Sequence, residues 1–286
     1  MAQVGTRSQL IEAELGLLHE FIRICEKLDL TWFAVQGTLL GAVRHRGMIP
    51  WDDDIDVGMP RRDYDIFLEK APDFLPSEYF LQTFHTDPEF YHCFAKMRDS
   101  RTTFIETTAR RFFRMNQGIF IDIFPFDYYP ENPLAALQFD LKKFLLRYRV
   151  RSAFYIPQDD DLRLSNLLRK ICMFTAGLLY PSERSALEES EKLYKSVRPG
   201  RRLINNGSPW GKREIVNLTW MKRTILRPFE DLQIRIPQGY NEYLKHVYGD
   251  YWQLPPEEKR LPHHFATVID PSTPYRVWMD RLAEEE

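Results

Sequence analysis

The sequence predicts an α/β fold: a mixed β-sheet flanked by helices, with a helical insertion and a C-terminal extension. Three observations predict it. Apolar residues near the N-terminus recur at helical spacing, and runs rich in β-branched and aromatic residues follow up to about residue 130. Three helical patterns then occupy about 131–200 before strand signals return. The expected organisation is an α/β core at 8–130, a helical insertion at 131–200, and a region at 201–286 that packs back on the core. A chain of 286 residues is long enough for a sizeable hydrophobic core.

The elements follow in order. Residues 8–29 read as an amphipathic helix, because Leu10, Ile11, Leu15, Leu18, Phe21, Ile22 and Cys25 recur three or four positions apart. Thr6 or Ser8 is its expected cap. WFAVQ at 32–36 reads as a short buried strand broken by Gly37 and Thr38, and 39–45 as a short helix. Gly47 and Pro50 mark a turn, a strand follows at 54–59, and Pro60 ends it before a helix beginning RRDYD. EYFLQTFH, YHCFAKMRD, TTFIETT and GIFIDIFPF are strand-like, EIVNL and KRTIL are later short strands, and 238–248 is helical.

A net charge of -2 supplies no basic field, so nucleic acid is not an expected partner. Cys25, Cys93 and Cys172 are odd in number, far apart and without C-x-x-C spacing. That pattern argues against a disulfide scaffold or a cysteine zinc site and fits a reducing cytoplasm. No signal peptide is expected, and no apolar run reaches the roughly 18 residues of a membrane span. ICMFTAGLLY at 171–180 is too short to span and reads as a buried helix.

The informative segment is 37–57, GTLLGAVRHRGMIPWDDDIDV. Asp52, Asp53, Asp54 and Asp56 crowd into five positions. In an extended chain Asp52, Asp54 and Asp56 share one side, with Asp53 and Ile55 on the other. Stacked carboxylates repel and require a countercharge, and hard oxygen ligands suit Mg²⁺ or Mn²⁺. Acidic runs are commonly just solvated turns, but this one enters an apolar strand, follows a Trp and a Pro, and lies downstream of a Gly-Thr turn. Such a turn, where a strand enters a helix, offers backbone N–H groups to a phosphate. A third carboxylate is expected from another strand. Asp122, flanked by Phe120, Ile121, Ile123 and Phe124, would be costly to bury unpaired, and Asp127, expected in a loop, is its rival.

These motifs resemble the LicD family of phosphotransferases, which is related to the fukutin-related proteins. The resemblance rests on GTLLGAVRHRGMIPWDDDIDVGMPRRDYDIF, FAKMRDSRTTFIE, IDIFPFDYYP, the stretch 228–256 and the pair His263 and His264. It implies a nucleotidyltransferase-type core, with the D-x-D ligands on Asp54 and Asp56 and the third on Asp122. It also implies transfer of phosphocholine, or of another alcohol phosphate such as ribitol phosphate, from a CDP-activated donor to a sugar hydroxyl, with release of CMP. Nucleotidyl transfer proper and a catalytically inactive nucleotide-binding module are the other readings. In the implied site Gly37 and Thr38 hold phosphate oxygens, Arg44, Lys96 and Arg98 complete an anion clamp, and Asp52 or Asp122 accepts the hydroxyl proton. Choline would be held by aromatic faces drawn from Trp210, Trp220, Tyr240, Tyr243, Tyr248, Tyr251 and Trp252. The expected partners are CDP-choline or another CDP-alcohol and a glycan acceptor. The expected location is cytoplasmic, with a lipid-linked acceptor drawing the protein to the inner face of the membrane. Two departures from the family pattern are Gln36 where Gly is frequent and Met48 where Phe is frequent.

Overall fold

The computed structural model describes residues 2–3, 5–107, 115–152, 164–208, 210–262, 264 and 266–284. A short strand β1 (Ala2–Gln3) precedes helix α1 (Arg7–Lys27). Thr6 is the cap: its hydroxyl accepts from the Gln9 N–H, and the Gln9 side chain accepts from the Thr6 N–H. The helix buries Leu10, Leu17, Leu18, Phe21 and Ile24, each contributing roughly 1.5–3 kcal/mol. Phe21 meets the edge of Trp32 at 5.4 Å and Phe67 at 5.1 Å, tying α1 to the layer beneath it.

Strand β2 (Phe33–Ala34), helix α2 (Gln36–Arg44), strand β3 (Asp56–Pro60) and helix α3 (Arg61–Lys70) come next. Strands β4 (Tyr79–Gln82), β5 (Ala95–Asp99) and β6 (Thr103–Glu106) lie within the first three strand-like runs, and β7 (Ile119–Tyr128) extends two residues past the fourth. Helices α4 (Pro133–Ser152), α5 (Leu164–Leu179) and α6 (Glu183–Lys195) coincide with the three helical patterns. The remainder comprises β8 (Arg202–Asn205), β9 (Ile215–Asn217), α7 (Leu218–Met221), β10 (Thr224–Phe229), β11 (Leu232–Pro237), α8 (Tyr240–Tyr248), β12 (Ala266–Asp270) and α9 (Tyr275–Glu284).

Strand β7 organises the main sheet, whose order is β2-β3-β7-β5-β4. It runs parallel to β3 on one side and antiparallel to β5 on the other, and its last residues pair with β8, which pairs in turn with β9. A strand flanked on both edges and covered on both faces must be apolar almost throughout, and IFIDIFPF is. Phe229, Ile234, Ile236, Tyr243 and Leu244 of the C-terminal third share one apolar core with Phe21, Val57 and Ile121.

Three local expectations need correction. The third strand begins at Asp56, not at 54, and residues 52–55 make no ladder; instead the Asp52 N–H donates to the Ile49 carbonyl at 2.9 Å, a turn that folds the acids back toward α2. Helix α2 starts at Gln36, so Gly37 and Thr38 lie in its first turn. Residues 171–179 are helical, but the outer side of α5 is exposed, because α5 packs chiefly on α4 and buries Ala176 there.

Candidate active site

The chain turns sharply between β2 and α2, and Gln36 makes the turn at φ 46°. An ordinary side chain in this left-handed region costs roughly 1–2 kcal/mol. Gly37 then lies against Asp52: a Cβ on residue 37 would sit 2.2 Å from Asp52 Oδ2, so any larger residue would push the Asp52 carboxylate from its place. The Thr38 hydroxyl oxygen accepts the Asp56 N–H at 2.7 Å. The Gln-Gly-Thr turn therefore seats two of the acids. Thr38 differs from its expected role, since it braces the Asp56 backbone and is not part of the cavity wall.

The loop ahead of the acids is held from two further sides. Glu230, in the turn between β10 and β11, accepts the Met48 N–H at 2.8 Å and donates its own N–H to the Arg46 carbonyl at 2.9 Å. Arg7 of α1 donates to the Ile49 carbonyl at 2.8 Å. Both anchors come from chain segments far from the motif, and no spacing in 37–57 points to them.

Sheet register places the remaining acids. Asp56 lies beside Asp122 across parallel β3 and β7, and Lys96 lies beside Asp122 across antiparallel β5. Asp54, Asp56 and Asp122 are all buried, and they bring carboxylate oxygens within 4.8 Å of one another. Lys96 Nζ sits 2.9 Å from Asp122 Oδ1, 3.8 Å from Glu106, and 3.3 Å from the centre of the Phe120 ring. The contact to Asp122 is an ion pair by distance but is not aligned as a hydrogen bond, so Oδ1 has no hydrogen-bond partner among the described residues. Asp52 Oδ1 and Glu14 Oε2 are buried in the same condition. His264 Nδ1 lies 3.4 Å from Asp53 and 3.8 Å from Asp54, and its ring meets the Phe104 and Phe120 edges.

The electrostatics follow from crowding. Burial, then the Asp54 and Asp53 charges, push Asp52 up to about 8. Burial, then Asp54 and Asp122, raise Asp56 well above the carboxylate range. Burial raises Asp54 as well, with His264 opposing it. Glu14 on α1 is raised by burial and then by Asp54, Asp53 and Asp52. For His264 burial acts downward, but the Asp54 charge and the Asp53 hydrogen bond prevail and carry it to about 10, so the ring is a cation at neutral pH. Lys96 and His264 are too few to balance these carboxylates. An all-oxygen, partly unpartnered donor set of this kind fits a hard divalent cation, with Asp54, Asp56 and Asp122 as its holders.

The acids open into a cavity of about 960 Å³. Gln36, Gly37, Arg44, Asp52, Asp54, Asp56, Lys96, Asp122 and His264 line it, whereas Asp53 and Ile55 do not, which is the alternation expected of an extended chain. Arg44 donates to the Tyr251 carbonyl at 2.7 Å at its edge. Arg98 does not reach the cavity: it is buried behind Phe120 and donates to Gln82 at 2.5 Å and to the Gly118 carbonyl at 2.6 Å. Asp127 lies in β7 rather than in a loop, and Arg61 engages both its oxygens at 2.6 and 2.9 Å, which removes it as a rival to Asp122. Trp210, Tyr248 and Tyr251 are on the wall together with Trp51; Trp220, Tyr240, Tyr243 and Trp252 are not. His263 lies outside the described residues. Glu14 is not marked by the sequence, because it looks like one more polar position on an amphipathic helix, and Trp51 is marked there only as preceding the acids, not as part of a binding wall.

Gln36 is strained at φ 46°, and its buried Nε2 has no partner among the described residues. Gln36→Gly is therefore expected to raise the melting temperature by about 2–4 °C, the shift that relief of about 1 kcal/mol gives in a chain of this size. Calorimetry checks this, and a fall of several degrees would show that the Gln36 side chain contributes packing that outweighs the strain.

The model of the LicD/FKTN/FKRP nucleotidyltransferase domain matches residues 29–159. The lipopolysaccharide cholinephosphotransferase LicD of Haemophilus influenzae is 29% identical over 255 residues, covering 87% of this chain and 92% of that protein. Shorter matches link the chain to uncharacterized proteins of Rickettsia typhi, 40% identical over 58 residues (20% of this chain, 19% of that one), and Rickettsia prowazekii, 43% over 47 (16% and 18%). Matching the family model over the stretch that holds the carboxylate cluster, and a relative over most of its length, the chain is similar to the LicD family of phosphotransferases.

Proposed function

We propose that this protein transfers phosphocholine from CDP-choline to a sugar hydroxyl of a cell-surface glycan and releases CMP. The observation that carries the reading is the convergence of Asp54, Asp56 and Asp122 on the wall of one large cavity that is also lined by aromatic side chains. The Haemophilus relative's activity supports choline as the alcohol. Residues 8–130 form the catalytic core in this reading, with 131–200 as an insertion and 201–286 as a closing region.

Asp54, Asp56 and Asp122 hold Mg²⁺ or Mn²⁺, which when bound supplies positive charge to the phosphate oxygens. The rest falls to the chain's own groups. Gly37, in the first turn of α2, and Arg44 face the donor phosphates. Trp51, Trp210, Tyr248 and Tyr251 offer ring faces to a trimethylammonium group, which donates no conventional hydrogen bond. Asp52, with an unpartnered Oδ1, accepts the proton of the sugar hydroxyl. The hydroxyl oxygen forms the new bond to phosphorus, the bond from phosphorus to the CMP oxygen breaks, and CMP departs.

Given CDP-choline and CDP-ribitol at equal concentration with Mg²⁺ and a lipopolysaccharide or teichoic acid acceptor, the protein is expected to release CMP from CDP-choline preferentially. Mass analysis should show one phosphocholine added per CMP. Preferential consumption of CDP-ribitol would overturn the alcohol, and pyrophosphate as the leaving product would overturn the reaction type.

A further inference from the structure

The cavity continues past the carboxylates toward α4 and α6, where Arg147, Val150, Ser190, Tyr194 and Asn206 line it. Sheet register sets the direction. Phe124 follows Asp122 by two residues on β7, roughly 7 Å along the strand, and its ring lies 4.6 Å from that of Phe94. Gly207, just beyond β8, packs on both rings: a Cβ there would sit 2.7 Å from Phe94 and 2.8 Å from Phe124. Next to it Asn206 accepts from Lys143 Nζ at 2.8 Å, which places α4 over this end of the cavity. Arg147 is one turn on from Lys143, on the same face of α4.

These two cations are not neutralised. Arg147, half-buried, and Lys143, only 8% exposed, pair with no carboxylate among the described residues. The acids that act on Lys143 are engaged elsewhere: Arg61 holds both oxygens of Asp127, and Asp140 takes Lys212 at 3.1 Å and the Tyr129 hydroxyl at 3.0 Å. Burial and then the Arg147 charge lower Lys143 to about 8, as like charges side by side must. Two adjacent cations at one end of a cavity, with no acid between them, are the converse of the carboxylate end.

The geometry points to a subsite here for a phosphate group carried by the acceptor, with Arg147 as its direct contact and Lys143 adding charge behind it. A guanidinium fork matches phosphate oxygens, and two cations suit the charge of about −1.5 to −2 on a phosphate monoester better than the single charge of a carboxylate. The donor phosphates do not need this end, because Gly37 and Arg44 serve them at the other. A cavity of about 960 Å³ lies at the upper end of the roughly 300–1,000 Å³ that hold one ligand, which leaves room for an acceptor beside the donor. That the bearer is a glycan acceptor rests on the phosphocholine-transfer reading, whereas the phosphate site can be tested without it.

Calorimetric titration in EDTA, without nucleotide, tests the site, because unfilled carboxylates repel a phosphate from their own end. Galactose 6-phosphate is expected to bind the wild type at least about tenfold tighter than galactose. Arg147→Met and Arg147→Gln should each abolish that difference with the melting temperature unchanged, since truncating an unpaired, half-buried arginine leaves no buried partner behind. Arg44→Met should keep the difference. No binding of galactose 6-phosphate, equal binding of the two sugars, a difference that survives both Arg147 substitutions, or one that Arg44→Met abolishes would overturn the site. Galacturonate binding as tightly as galactose 6-phosphate would overturn the assignment to phosphate. Failure to release CMP from CDP-choline, beside retained binding of galactose 6-phosphate through Arg147, would overturn the transfer reading alone.

Discussion

Asp56→Asn is expected to lower turnover on the order of a thousandfold, because loss of a cation ligand removes several kcal/mol of charge stabilisation. The same substitution should stabilise the protein when divalent cations are chelated. Burial and the Asp54 and Asp122 charges raise the folded-state pKa of Asp56, so the folded form binds that proton more tightly than the unfolded chain does. Its contribution is then favourable at low pH and is lost as pH rises from the ordinary carboxylate range through the raised value. Asp52, pushed from 3.8 to about 8, acts with the same sign, and His264, raised from 6.5 to about 10, continues the loss at higher pH. The chelated wild type should accordingly melt at progressively lower temperature as pH rises from 4 to 8, and Asp56→Asn should flatten that slope. A merely structural aspartate would lose activity and stability together. Here they are expected to move in opposite directions, and calorimetry in EDTA beside a turnover assay in Mg²⁺ reads both.

Lys96→Met is expected to destabilise the protein by about 3–5 kcal/mol, the cost of leaving a buried charge without its partner. The lysine side chain is only 3% exposed, with Asp122 at 2.9 Å and Glu106 at 3.8 Å. Glu106 shows its reach: burial would raise that carboxyl, but Lys96, His264 and Arg98 together bring it down to about 2. Because Lys96 and a divalent cation neutralise the same carboxylates, Mg²⁺ should recover part of the loss in the variant and add less to the wild type. Urea denaturation with and without Mg²⁺ measures this. A loss below about 1 kcal/mol would place the pair in the class of weak surface bridges and remove Lys96 from the charge balance of the site.

The parts of the site legible in the sequence are those that local pattern controls. GIFIDIFPF is a nearly continuous apolar run, so its strand character and the oddity of Asp122 within it were both visible, whereas its central position in the sheet was not read. The alternation of Asp52, Asp54 and Asp56 indicated a shared side, and all three line the cavity although residues 52–55 form no ladder. What escaped depends on long-range packing. Nothing in RLIN at 202–205 announces that β8 completes the edge of β7 beyond β5, because four residues give too little period to read. Arg98 shares a strand face with Lys96, so spacing alone could not tell that it binds Gln82 and Gly118. Thr38 looked like a phosphate ligand, but its hydroxyl had a nearer partner in the Asp56 amide, a contact that exists only once β3 lies beside α2. Glu14 shows the same limit, since a lone glutamate on an amphipathic helix carries no sign that three aspartates lie beneath it.

Asp54, Asp56 and Asp122 are expected to hold one divalent cation together. Mn²⁺ titration followed by electron paramagnetic resonance tests it without any substrate. The wild type is expected to quench the free-ion signal until the site is filled, and Asp56→Asn and Asp122→Asn, each still folded, should leave the signal of free Mn²⁺ at the same additions. A wild type that leaves Mn²⁺ free, or substituted proteins that bind it equally well, would show that these three carboxylates do not hold the cation.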